Sequence, residues 1–212
     1  AITLCPEHVP ARRTLGRLYA RQDRHDELPG LLSDELEIYT DPGRRASISY
    51  RIGSLYEHRL GDLEQAAAAY AQALAEQAGF RPAVRGLSRV YDRLERHEDL
   101  ISLTEQELAG ATSREDRILL LRRISDIWER KLEDPAAALS AYERMVAVEP
   151  SNLPALRALR RLYAMGGRWR DMVGVLKTDA DQAMDRWRRV GLLTEAAEVQ
   201  ELQLQDADGA LQ

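Results

Sequence analysis

The chain repeats itself every 72 residues without a gap, and this period limits its fold more than any other feature. Five residue types keep the spacing, at Pro10, Pro82 and Pro154, Tyr19, Tyr91 and Tyr163, Arg24, Arg96 and Arg168, Leu60, Leu132 and Leu204, and Asp62, Asp134 and Asp206. A fixed period of this kind is typical of a solenoid, in which each repeat buries its apolar face only against its neighbours. The sequence therefore predicts one elongated array over residues 1–212.

Each 72-residue unit predicts four helices. In the middle copy, Pro82 is placed to open the first helix, where a missing N–H costs nothing, and apolar residues follow at helical spacing. Ser113 and Asp134 are predicted to cap the third and fourth helices, and Pro150 is predicted to end the fourth. No segment shows the alternation of apolar and polar residues that predicts a strand. The expected fold class is all-α.

Each half-unit of 36 residues resembles a tetratricopeptide repeat (TPR). The first-helix pattern of that family is matched by Leu15-Gly16-x2-Tyr19 and Ile52-Gly53-x2-Tyr56, and the second-helix pattern by Ala66-x3-Tyr70 and Ala138-x3-Tyr142. The resemblance implies a right-handed α-α superhelix of six helical hairpins, with the first helix of each hairpin lining a concave groove. The expected hairpins cover residues 9–40, 43–78, 81–112, 115–150, 153–184 and 187–212. Ala196, Ala197 and Gln200 depart furthest from the pattern.

Both ends of the chain align with the middle of a repeat. Residues 1–6 align with the end of a predicted helix, 145–150, and residues 209–212 align with the interior of the same helix. We therefore expect a segment of a longer array. Leu202, Leu204 and Leu211 would then expose apolar surface at one end, which predicts weak end-to-end self-association.

Composition and motifs argue against several function classes. The formal net charge of −5 disfavours a general nucleic-acid or membrane-surface binder, and the single Cys5 excludes an internal disulfide framework. No apolar run reaches the roughly 20 residues of a membrane span. The four histidines, His8, His25, His58 and His97, show no metal-ligand spacing, and no glycine-rich phosphate loop is present. We expect no enzymatic activity, no metal and no cofactor.

Arginine is concentrated on the predicted first helices. Residues spaced by four share one helix face, so arginines at this spacing predict a ladder of guanidinium groups along the groove. The candidate partner-binding residues are Arg13, Arg17 and Arg21, then Arg85, Arg89 and Arg93 one unit later, and Arg157 and Arg161 in the third. Some members of the family hold a terminal carboxylate with Lys and Asn; here arginines fill the Asn position, so that activity is not expected.

Two roles are open for these arginines. They can bind an acidic segment of a partner protein, or they can pair internally with acids at comparable positions, such as Glu57, Asp126, Glu129, Glu198 and Glu201. The leading function is thus a protein-interaction module whose partners are proteins or peptides. The alternatives are a purely architectural spacer or scaffold and, less favoured, a binder of single-stranded nucleic acid.

Overall fold

The structure, a computed structural model, describes residues 9–205 and residue 209. Within this part the backbone forms eleven α-helices and contains no strand, which confirms the all-α prediction. The helices are α1 Val9–Arg21, α2 Leu28–Ile38, α3 Pro42–Leu55, α4 Leu63–Glu76, α5 Arg81–Arg93, α6 His97–Gly110, α7 Arg114–Arg130, α8 Pro135–Val148, α9 Leu153–Met165, α10 Trp169–Gln182 and α11 Arg186–Leu204. A π-helical turn, Tyr56–Leu60, follows α3 directly.

The chain divides into two compact units, and the boundary lies between Leu103 and Thr104, inside α6. In unit 1 each helix from α1 to α5 packs against the next helix along the chain, and α7 to α11 do the same in unit 2. Consecutive helices therefore form the stacked hairpins that the TPR resemblance implied. No helix in the described part is long and apolar enough to span a membrane.

The helix starts follow the predicted capping pattern. The Ser113 hydroxyl accepts a hydrogen bond from the backbone N–H of Asp116 at 3.0 Å, and the Asp134 carboxylate accepts one from Ala137 at 2.9 Å. The same arrangement begins α3 at Asp41, which was not predicted. Each cap satisfies an N–H that the helix itself leaves without a partner, so it fixes where the helix begins.

The turns explain why certain residues recur every 72 positions. At the turns that end α1, α5 and α9, one residue adopts the left-handed conformation, with φ of 55° at Asp23, 56° at Glu95 and 66° at Gly167. Next to each turn an arginine lies over a tyrosine ring, which is a cation–π contact. The pairs are Arg24 with Tyr19, Arg96 with Tyr91 and Arg168 with Tyr163, at 4.7, 4.9 and 4.6 Å.

The core of unit 1 is organised around Tyr70, which is completely buried. Its ring lies between two glycines: a Cβ atom at Gly53 of α3 would lie 2.6 Å from the ring, and one at Gly86 of α5 would lie 2.7 Å from it. These glycines allow α3 and α5 to approach the ring closely, as the close-packing interpretation of the small residues predicted. The corresponding tyrosine of unit 2, Tyr142, is only half-buried.

Some expectations concern residues that lie outside the described part, namely Cys5, His8, Asp206 and Leu211. Of the other leucines expected at the C-terminal end, Leu202 is exposed and Leu204 is partly buried. End-to-end association stays a prediction.

Candidate partner-binding surface

The eight arginines of the predicted ladder all have exposed side chains on first helices of hairpins. Arg13, Arg17 and Arg21 lie on α1 and the next three on α5, all in unit 1, whereas Arg157 and Arg161 lie on α9 in unit 2. Their surroundings divide them into two groups. Three of them, Arg89, Arg93 and Arg161, lie within ion-pair distance of a glutamate. The other five have no carboxylate partner among the described residues: Arg13, Arg17, Arg21, Arg85 and Arg157.

Arg89 binds a buried glutamate in unit 1. The Glu57 side chain is only 1 % exposed and accepts hydrogen bonds from Arg89 Nε at 2.6 Å and Nη2 at 2.8 Å. The Tyr70 hydroxyl donates a third, at 2.7 Å, and Arg93 Nη1 lies 3.9 Å away. Burial by itself raises the pKa of Glu57, but the hydrogen bonds from Arg89 and Tyr70 outweigh it and hold that pKa below its ordinary value.

The same arrangement recurs 72 residues later in unit 2. Glu129 accepts a hydrogen bond from the Tyr142 hydroxyl at 2.8 Å and pairs with Arg161. Burial raises the pKa of Glu129, and hydrogen bonds from Arg161 and Tyr142 lower it to a value below the ordinary one. In both units the arginine and the glutamate belong to consecutive hairpins. The internal-pairing role therefore describes Arg89 and Arg161, because each joins one hairpin to the next.

A cleft of about 620 Å³ opens in unit 1 between α1, α2 and α3, and we call it the α1–α3 cleft. Apolar side chains of α2, including Leu28, Leu31 and Leu32, contribute to its lining together with Gly16. Arg13, Arg17 and Arg51 also line it, and none of these three forms an ion pair with a residue in the described part. The cleft thus combines apolar surface with guanidinium groups whose charge is not matched locally.

A second cleft of about 460 Å³ lies between α3 and α5 and is named the α3–α5 cleft. It is lined by Tyr50, Arg81, Pro82, Arg85 and Arg89. Tyr50 also lines the α1–α3 cleft, so the two clefts meet at this ring. Arg81 and Arg85 lack a carboxylate partner within residues 9–205, whereas Arg89 is engaged by Glu57. Arginine presents paired planar donors that match carboxylates, so this surface is suited to an acidic ligand.

Sequence reasoning missed four residues of this surface: Glu35, Tyr50, Arg51 and Arg81. The ladder was built from residues four apart on the odd-numbered first helices, and Tyr50 and Arg51 belong to α3, an even-numbered one. A signal was present in the differences between copies. Arg51 corresponds to Glu195 two units later, and Gly16 corresponds to Arg160, so the two copies carry opposite charges at one position.

Two of the ladder residues lie apart from both clefts within the chain segment described. Arg21 is the last residue of α1, and Arg157 lies on α9 in unit 2. Outside the clefts, no group of three or more His, Cys, Asp or Glu side chains in the described residues is arranged to hold a metal ion.

Comparison with known proteins gives likeness of fold. No protein-family model matches the chain, and no curated relative matches its sequence. A tetratricopeptide repeat protein from Parabacteroides merdae is 12% identical over 95% of this chain and 75% of that chain, with a TM-score of 0.46. YrrB, a TPR protein with an unusual peptide-binding site, is 17% identical over 85% of this chain and 98% of its own, with a TM-score of 0.41. MamA is 14% identical over 79% and 93%, with a TM-score of 0.43.

Proposed function

We propose that this chain is a protein-interaction module that binds an acidic segment of a partner protein along the two clefts of unit 1. The observation that supports this most strongly is a set of arginines facing the clefts without an acidic partner in the described structure: Arg13, Arg17, Arg51, Arg81 and Arg85. Elsewhere in the chain, arginines such as Arg45, Arg96 and Arg144 form ion pairs with acids. A local excess of positive charge in a protein of net charge −5 favours an anionic ligand.

A peptide is favoured over a nucleic acid by the mixed lining of the α1–α3 cleft. Leucines line this cleft next to the arginines, and aliphatic side chains suit the apolar side chains of a peptide. Single-stranded nucleic acids are held by bases stacked on aromatic rings, and Tyr50 is the one aromatic residue that lines these two clefts. The proposal therefore commits to a protein partner and a binding role without catalysis.

The architectural alternative has its own support. The Glu57–Arg89 and Glu129–Arg161 pairs join consecutive hairpins, which is what a spacer of fixed length requires. This role needs no ligand at the clefts. It predicts that reversing the charge of unpaired cleft arginines leaves function unchanged.

A labelled nine-residue peptide tests the proposal. We define the acidic probe as a capped peptide with tyrosine at its centre and four alternating aspartates and glutamates on each side. Its neutral counterpart carries asparagine and glutamine instead. Fluorescence anisotropy should show binding of the acidic probe, weakening as salt is raised, and at least tenfold weaker binding of the neutral counterpart.

Variants of equal charge change locate the binding site. Arg17→Glu with Arg85→Glu should abolish binding of the acidic probe, while the helical circular dichroism signal stays unchanged. Arg59→Glu with Arg170→Glu is the matched control, because both residues are exposed and line neither cleft. It should bind within about twofold of the unmodified chain.

Three results would overturn the proposal. The first is absence of binding to the unmodified chain, and the second is equal loss in the control variant. The third is displacement of the probe by an equimolar oligouridylate, which would favour the nucleic-acid function.

A further inference from the structure

Glu35 of α2 is a buried acid that lines the α1–α3 cleft. It is 8 % exposed, and it forms neither a hydrogen bond nor an ion pair with any residue in the described part of the chain. Buried polar groups in folded proteins nearly always have a hydrogen-bonding partner, and a buried carboxylate without one is costly. A carboxylate that lines an open cleft can obtain that partner from a ligand.

The corresponding acid of unit 2 obtains its partner from within the chain. Asp179 lies 144 residues after Glu35, is 2 % exposed, and accepts a hydrogen bond from Arg188 Nη2 at 2.5 Å. The residue that corresponds to Arg188 in unit 1 is Arg44, and it lies over the ring of Tyr39 instead, 5.2 Å from the ring centroid. Unit 1 has thus kept the buried acid without the internal cation that neutralises it in unit 2.

The residues around the cleft differ between the copies in the same sense. In unit 2, Arg160 and Glu195 form an ion pair across α9 and α11. In unit 1 these positions are Gly16, which carries no side chain, and Arg51, which has no carboxylate partner in the described residues. A Cβ at Gly16 would lie 3.4 Å from Leu31 and 3.7 Å from Leu28, so the glycine leaves this apolar surface open.

The surroundings of Glu35 select the chemistry of the missing donor. A cationic group would be repelled by Arg13, Arg17 and Arg51, which line the same cleft. A neutral O–H group on a ring meets no such repulsion, and the ring can pack on the leucines. The chain itself uses this combination twice, because the Tyr70 hydroxyl donates to buried Glu57 at 2.7 Å and the Tyr142 hydroxyl donates to Glu129 at 2.8 Å.

We propose that the α1–α3 cleft binds a tyrosine side chain of the partner, whose hydroxyl donates a hydrogen bond to Glu35, while neighbouring acids of the partner pair with Arg13, Arg17 and Arg51. This inference rests on the proposed function and makes it more specific. The partner is then an acidic segment with a tyrosine anchor, and Glu35 determines the choice of anchor.

The test compares the acidic probe with a version that has phenylalanine at its centre, which lacks only the hydroxyl. The unmodified chain should bind the tyrosine probe about tenfold more tightly, since a hydrogen bond to a buried charged acceptor is of this order. In Glu35→Met the two probes should bind equally, because the acceptor is gone. Glu37→Met, which removes an exposed acid from the same helix, should keep the tenfold preference.

The outcomes separate this inference from the proposed function. Equal binding of both probes to the unmodified chain, with the salt dependence retained, overturns the tyrosine anchor alone, and this comparison needs no variant to fold. A preference for tyrosine that persists in Glu35→Met assigns the hydroxyl to another residue and also overturns the inference. Binding of neither probe overturns the anchor and the proposed function together.

Discussion

The role of Arg89 can be tested by a comparison with Arg17, which occupies the same repeat position one unit earlier. Replacing Arg89 with Met removes two of the three hydrogen bonds to the buried Glu57 carboxylate. Breaking one partner of a fully buried ion pair costs roughly 3–5 kcal/mol. Arg89 is itself 50 % exposed and Arg93 lies 3.9 Å from Glu57, so part of the loss is recovered. We expect Arg89→Met to lower the free energy of unfolding by about 2 kcal/mol.

The matched control is Arg17→Met. Arg17 is exposed and has no acidic partner within residues 9–205, so the same change should alter the free energy of unfolding by less than about 0.5 kcal/mol. Urea titration followed by circular dichroism at 222 nm measures both variants. In a chain of this size, about 2 kcal/mol corresponds to a fall in Tm of roughly 4–8 °C.

Two results would refute the reasoning. If Arg17→Met destabilises the chain as much as Arg89→Met, the effect belongs to any arginine at this repeat position and not to the contact with Glu57. If Arg89→Met changes the free energy of unfolding by less than about 0.5 kcal/mol, the buried carboxylate does not depend on its guanidinium partner.

Two further predictions concern the same core. Because the pKa of Glu57 is lower in the folded chain than its ordinary value, the ionised carboxylate stabilises the fold above about pH 4.3, and this stability is lost as the pH falls through the folded-state pKa. Urea titrations at pH 7 and below pH 4.3 should therefore show a smaller loss of stability in Arg89→Met than in the unmodified chain; an equal loss would contradict it. Gly53→Ala should destabilise the chain by about 1–3 kcal/mol, because the added Cβ would lie 2.6 Å from the fully buried Tyr70 ring. Gly30→Ala, on an exposed helical site with no atom within 4 Å of the new Cβ, should instead stabilise it by about 0.5 kcal/mol, and thermal melting that shows the same sign for both glycine variants would refute the packing argument.

The sequence by itself determined the elements of this protein. Helix starts at Ser113 and Asp134 could be predicted because capping depends on a side chain and a backbone N–H only three residues apart. The order of hairpins could be predicted because the repeat period records the same packing solution several times. The same logic located the arginines on exposed faces of first helices, since spacing along a helix fixes which residues share a face.

Only the tertiary structure decided what those arginines do. Arg17 and Arg89 are indistinguishable in the repeat alignment, yet Arg89 reaches a glutamate 32 residues earlier in the chain and Arg17 faces an open cleft. Such contacts depend on how neighbouring hairpins pack, and one repeat position can therefore serve two purposes. Glu35 escaped notice for the same reason. Its burial, and the lack of a counterpart to Arg188 beside it, become visible only when α1, α2 and α3 are packed together.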